Sequence, residues 1–311
     1  MRFNPKARLD PGRVRDAGRG GGSGGLGGGA GLRIPGGLPV GGGVGGVVLV
    51  VAIFLLVQFA GGGTSGSGGG FGAAPDTARM ADSERYAGCD TGADANEDPD
   101  CRRVGTENSL HDFWSDELGA DFRPISRLVT FTGQVSTGCG RAGSEVGPFY
   151  CPVDESVHLD TSFFDAVLAR QLGGPSGGFV EPYVLAHEYG HHVQNLLGTM
   201  GKVRTQQGPR SDAVRLELQA DCYAGMWAYA ATSTEDADGE VLIVDLTEQD
   251  VSEALAAAEA IGDDRIQQRA RGQVTPETWT HGSAKQRMAW FRTGFEQGSL
   301  ESCDTFAAAA L

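Results

Sequence analysis

The stretch Tyr183-Val-Leu-Ala-His-Glu-Tyr-Gly-His-His-Val-Gln-Asn195 decides how the rest of the chain is read. It contains His187-Glu188-x-x-His191. Residues four apart on a helix share a face, so the two imidazoles can meet one metal ion. Glu188 sits one position round from His187, within reach of a metal-bound water but badly placed to displace it. Zinc takes N, O or S ligands and, where it is catalytic, keeps a position open for water, whose pKa it lowers towards neutrality for a nearby carboxylate to deprotonate. The flanks are helical and apolar. Pro182 suits a first turn, Val184, Leu185, Val193, Leu196 and Leu197 offer a core side, and Gly198 stands where a C-cap belongs. A plain surface helix rich in His and Glu is the alternative reading. His192 points about 100° away from His191 and is not counted as a ligand.

Two histidines leave a site incomplete. The next helical stretch, Ser211–Ala230, carries Glu217-Leu-Gln-Ala-Asp221, again two groups four apart. Glu217 can supply the third ligand, and Asp221 can accept the free N–H of a zinc histidine and fix its tautomer.

On these residues the chain resembles the bacterial neutral zinc metallopeptidase family. The resemblance lies in His187-Glu-Tyr-Gly-His-His-Val-Gln-Asn-Leu-Leu197, Arg215-Leu-Glu-Leu-Gln-Ala-Asp-Cys222, Thr132-Gly-Gln-Val and Val146-Gly-Pro-Phe-Tyr-Cys-Pro, and runs from about Cys89 to Phe295 without the N-terminus. More distantly the layout is similar to that of the thermolysin-type gluzincins. The resemblance implies a zincin-like peptidase domain with one zinc ion, His187, His191 and Glu217 as ligands, and Glu188 as general base. By analogy with related membrane zinc proteases, His281 or Arg287 would stabilise the oxyanion. The plainer alternative has His281 capping its helix and Arg287 pairing with a core acid.

The surrounding sequence gives an expected frame. Of 50 glycines, 26 precede Ala73, so the excess is local. Residues 1–40 carry a net +5 and the other 271 residues −20, an acidic body that argues against a nucleic-acid partner. Residues 1–43 read as a disordered, cytoplasmic Gly/Arg-rich segment, 44–62 as a transmembrane anchor, 63–80 as a Gly/Ser linker and 81–311 as the metallopeptidase domain. The apolar core of the anchor is Val47–Ala60, set in an uncharged stretch from Ile34 to Gly63 that is long enough to span. A cleaved signal peptide fits less well, because Gln58 would stand three residues before a cut at Ala60. Basic residues before the span place the N-terminus inside and the body outside.

Six cysteines, Cys89, Cys101, Cys139, Cys151, Cys222 and Cys303, all follow the span and point to disulfides in an oxidising compartment. Six allow about 15 pairings. Nearness along the chain favours Cys89–Cys101 and Cys139–Cys151, leaving Cys222–Cys303. Between the first two, Asp90, Asp94, Asn96, Asp98 and Asp100 resemble a calcium loop, without its glycine or distant glutamate. A solvated acidic turn is the other reading.

In the body, Thr106–Leu118 has helical spacing. The strands expected are Arg127–Thr132, Gly147–Pro152 and Ser156–Asp160, which would give substrate an edge to lie along. Thr161–Leu172, Thr247–Ile261 and a stretch opening at Thr280 are expected helices, with 263–271 a continuation of the second. His111 and His158 read as packing histidines. The expectation is an α+β fold, mainly helical with a small sheet, preceded by one transmembrane helix. Its expected function is zinc-dependent hydrolysis of peptides, with a catalytically inactive zinc-stabilised binding protein as the alternative.

Overall fold

The computed structural model describes residues 1–19, 84–236 and 238–311. In chain order these form β1 (Arg2–Phe3), β2 (Val14–Arg19), α1 (Gly92–Glu97), α2 (Pro99–Leu118), β3 (Leu128–Thr132), β4 (Gln134–Thr137), β5 (Gly140–Gly143), β6 (Phe149–Cys151) and β7 (Ser156–Asp160). There follow α3 (Val180–Leu196), α4 (Asp212–Ala230), β8 (Ile243–Asp245), α5 (Glu248–Ala260), α6 (Asp263–Arg271) and α7 (Ala284–Gln297). The fold is α+β: a helical body with small sheets.

Local chemistry sets most helix starts. Asp98 caps α2 by accepting from the Asp100 N–H, with Pro99 in its first turn. That cap lies eight residues ahead of Thr106, where the helical spacing begins. Thr247 with Asp250 and Ser283 with Gln286 form reciprocal capping boxes at α5 and α7. Ser211 caps α4 through the Val214 N–H. The helix expected over Thr161–Leu172 is instead one wide π-helical run, Phe164–Ala169.

The main sheet has the order β2-β3-β7-β6. β2 and β7 run parallel to β3 on either side, and β6 turns back antiparallel to β7 at the sheet's end, beside α3. β4 and β5 form a separate hairpin, and β1 pairs with β8. The disulfides are Cys89–Cys101, Cys139–Cys151 and Cys222–Cys303.

The helices pack closely where glycine permits. A Cβ on Gly190 of α3 would lie 3.1 Å from the Ala220 Cα of α4. One on Gly294 of α7 would lie 1.9 Å from the Cys222 carbonyl oxygen of α4. α4 is thus clasped between α3 and α7, and its buried face carries Glu217 and Asp221 to the interior.

The N-terminus departs from expectation. Residues 1–19 are part of the body, where a disordered segment was expected from composition. Phe3, Ala7, Leu9 and Val14 are buried in the main core. The backbone is tied at Asn4 to Leu242, at Leu9 to Asp90 and at Ala7 to Gly92. Few apolar residues suffice because the order comes from backbone pairing with strands far along the chain. A cytoplasmic N-terminus with an exported body does not hold either. One membrane crossing between residues 19 and 84 would part β1 and β2 from β8 and β3, with which they pair. The anchor expected at 44–62 and the linker at 63–80 lie outside the described residues. Among the described residues no helix is long and apolar enough to cross a membrane.

The calcium reading is also corrected, because the acidic turn's oxygens go to separate partners. Asp94 closes a capping box with Thr91, and Asn96 bonds both the N–H and the C=O of Phe3. Asp98 caps α2, while Asp100 binds Arg85 and Arg103.

Candidate metal centre

α3 and α4 bring His187, His191 and Glu217 together. One ligand atom from each lies within 4.8 Å of the others, and all three residues are buried. His187 Nε2 is 3.2 Å from Glu217 Oε2, and His191 Nε2 is 3.6 Å from Glu217 Oε1. A tetrahedral zinc with bonds of about 2.0–2.1 Å sets its ligand atoms about 3.3–3.4 Å apart. These two separations and the two-histidine, one-carboxylate donor set therefore fit that ion. Among the described residues this is the one group of three or more ligating side chains placed to hold a metal.

Each imidazole is held from behind. His187 Nδ1 donates to Asp221 Oδ1 at 2.9 Å, which turns Nε2 towards Glu217. Asp221 is fully buried and also accepts from Tyr183 Oη at 2.7 Å and from Arg287 Nε and Nη2 at 2.8 and 2.9 Å. Burial alone would raise its carboxyl, yet Arg287 and His187 hold it down to about 2. His191 Nδ1 lies 2.8 Å from Gln194 Oε1 and donates to it. Gln194 Nε2 donates in turn to the Leu216 carbonyl at 2.7 Å and to Gln219 Oε1 at 3.1 Å. Gln219 Nε2 reaches the Cys303 carbonyl at 3.1 Å, so the chain of bonds ends on the Cys222–Cys303 disulfide. These outer partners fix tautomer and ring angle in the way metal-ligating histidines require.

The electrostatics favour a cation at this place. Burial opposes charge on His187, but Asp221 and Glu217 outweigh it and hold the imidazole up to about 10. Burial pushes His191 down to about 4. Glu217 would be raised by burial, and His191, His281 and His187 instead keep it well below the ordinary carboxylate range. The cluster thus keeps one carboxylate charged inside the protein and holds a proton on His187 against burial, which a divalent ion would replace.

Glu188 is buried and lies on the neighbouring face of α3, where burial raises its carboxyl to about 7. His187 and the Tyr150 backbone N–H restrain that rise, and Glu217 adds to it. A carboxyl near neutrality can both take and return a proton at working pH.

The later histidine sits beside this group. His281 is close enough to Glu217 for each to shift the other's pKa. Its Nδ1 is 2.8 Å from Thr280 Oγ1, and its loop is held by Asp263, which accepts the backbone N–H groups of residues 280, 281 and 282. It does not cap α7, a task that falls to Ser283. Arg287 pairs with the buried Asp221, behind His187. His111 and His158 stay away from the cluster. The first meets Arg13 at 3.0 Å and the second stacks on Phe149.

Gln194 and Tyr183 were not singled out from the sequence. Gln194 had a usable signal, since i+3 from a ligand places it on the same helix face. Tyr183 had none, because its role depends on where α4 and α7 pass.

Comparison with known proteins agrees with the site. A family model described as "Putative neutral zinc metallopeptidase" matches residues 1–306, including the N-terminal segment that the sequence resemblance had left out. An uncharacterized protein of Mycobacterium tuberculosis H37Rv is 55% identical over 225 residues, 72% of this chain and 76% of its own length. The uncharacterized protein YpfJ of Escherichia coli K12 is 45% identical over 186 residues, 58% of this chain and 61% of its own. No solved structure matches the chain.

Proposed function

The chain belongs to the neutral zinc metallopeptidase family, and from that premise we propose that it is a zinc-dependent endopeptidase. One observation carries the reading: two buried imidazoles and a buried carboxylate stand close enough to share one ion, with a second buried carboxylate, Glu188, on the adjacent helix face. A protein that only stored structural zinc would have no use for that fourth group.

His187, His191 and Glu217 would hold the ion, with Asp221 and Gln194 fixing the two rings. The ion, when bound, supplies Lewis-acid polarisation of the scissile carbonyl and of a water. Glu188 takes the proton from that water and returns it to the leaving amine. His281, beside Glu217, donates to the oxyanion as it forms. The peptide lies along the free edge of β6, whose backbone passes Glu188, in the manner of an added strand.

Three disulfides support a body that folds in an extracytoplasmic compartment, and β1 and β2 then lie on that same side.

The test is Glu188→Gln. Zinc content should match wild type while peptide hydrolysis falls by at least about a thousandfold, as expected when a general base essential to the step is removed. Equal turnover of a peptide library by the variant would sink the mechanism. A wild-type protein that binds zinc and cleaves nothing would sink the activity.

A further inference from the structure

α3 carries two parallel rows of polar side chains with the same spacing. His187, His191 and Gln194 stand at i, i+4 and i+7 and serve the ligands, facing α4. Glu188, His192 and Asn195 repeat that spacing one residue round, and this row meets β6. The metal reading uses Glu188 alone from the second row.

Tyr150, the middle residue of β6, sends its hydroxyl to the other two. It lies 3.0 Å from His192 Nδ1 and 3.0 Å from Asn195 Nδ2. Tyr150 is 2% exposed and His192 0%. The direction of every bond follows from valence. His192 Nε2 is 2.6 Å from the Arg123 carbonyl oxygen, which can only accept, so Nε2 carries the ring proton. A neutral ring with its proton on Nε2 leaves Nδ1 bare, placed to accept the Tyr150 hydroxyl proton. The hydroxyl has no second proton and therefore accepts from the Asn195 amide. Each atom has one role, so the network has one arrangement. At the other end of the row, the Tyr150 backbone N–H lies beside the Glu188 carboxylate.

We propose that His192 and Asn195 are positioning residues that act through Tyr150. By clamping its hydroxyl they seat β6 against α3, so that the strand's backbone fixes where the Glu188 carboxylate stands. The clamp depends on geometry alone, whereas its effect on turnover rests on Glu188 being the general base.

The test uses the full chain with Tyr150→Phe, Asn195→Ala and the double variant. Amide hydrogen exchange across 149–151, with and without zinc, reads the clamp directly. Tyr150→Phe should speed exchange there roughly tenfold, with exchange in α4 unchanged. In the loaded enzyme kcat should fall roughly tenfold, with KM within about twofold and zinc content at the wild-type level. The double variant should be no worse than Tyr150→Phe, because both act through one hydroxyl. In wild type, the ¹⁵N shifts of the His192 ring should report a proton on Nε2 and a bare, hydrogen-bonded Nδ1. Unchanged exchange at 149–151, or unchanged kcat where exchange has risen, overturns the proposal. Wild type that cleaves no peptide, with exchange responding as expected, overturns the peptidase reading and supports the clamp.

Discussion

α3 with α4 and residues 1–19 reach order by opposite routes. The two helices carry their instructions locally: ligand spacing and apolar faces lie within each element, and Ser211 caps the start of α4. The N-terminal segment has little of this. β1 is two residues long, and β2, Val14-Arg15-Asp16-Ala17-Gly18-Arg19, alternates without a clear apolar face. It is ordered by Leu128–Thr132, more than a hundred residues away. The local part holds the metal ligands and the non-local part completes the core around them, so the two should fail in different ways.

The largest effect is expected where α7 is forced off α4, one member of the local pair. Gly294→Ala puts a methyl group 1.9 Å from the Cys222 carbonyl oxygen, against backbone that cannot rotate away. α7 must then move, and Arg287 moves with it from Asp221. A loss of about 5 kcal/mol, or failure to fold, should follow, well beyond ordinary overpacking. Urea unfolding and zinc titration should both register it. A variant that melts as wild type does would mean that the helix crossing does not carry the site.

Breaking the other side should separate stability from metal binding. Phe3 is 1% exposed and packs its ring on Gly105 of α2. Phe3→Ala should cost about 4 kcal/mol in urea unfolding, as burial is lost and a cavity left. Zinc affinity of the folded protein should stay within about twofold, since no ligand or its support touches Phe3. A parallel fall in zinc affinity would show that the N-terminal segment shapes the site as well as the core.

The same division explains how much the sequence revealed. His187, Glu188, His191, Glu217 and Asp221 were legible because helix geometry converts spacing into a shared face. Cys89–Cys101 and Cys139–Cys151 were legible because their partners lie 12 residues apart. β2 was not, because Gly/Arg-rich composition mimics disorder and a parallel strand shows itself only beside its partner. β8 was hidden in an acidic connection, because its partner β1 lies at the other end of the chain. The acidic turn misled in the other direction: its alternating oxygens suggested one ion, whereas those of Asp94, Asn96, Asp98 and Asp100 go to helix caps, arginines and backbone. Arg287 could be placed only once α7 was seen to deliver it to a carboxylate on α4.

The smallest effect lies on the seam between the two parts and is read by pH. Asn108 of α2 binds Asp10 through its N–H at 2.6 Å and its C=O at 3.2 Å, and donates to Glu107 Oε2 at 2.9 Å. Glu107 is 1% exposed, and its Oε1 meets no hydrogen-bond donor among the described residues. Burial raises its carboxyl to about 7, with Arg13 and the Asn108 bond pulling the other way. An unfolded glutamate ionises from about 4.3 upward. Between those two values the native state holds a proton that the unfolded state has lost, so stability falls as pH rises through the window and levels off above about 7. At about 1.4 kcal/mol per unit, the part of that loss that falls between about pH 5 and 7 is about 3 kcal/mol. Glu107→Gln cannot ionise, so its stability should change less between pH 5 and 8, and it should be the more stable protein at pH 8. Urea midpoints at those two pH values decide it. Equal slopes in the two proteins would mean that Glu107 is already ionised in the native seam and that another group pairs with it there.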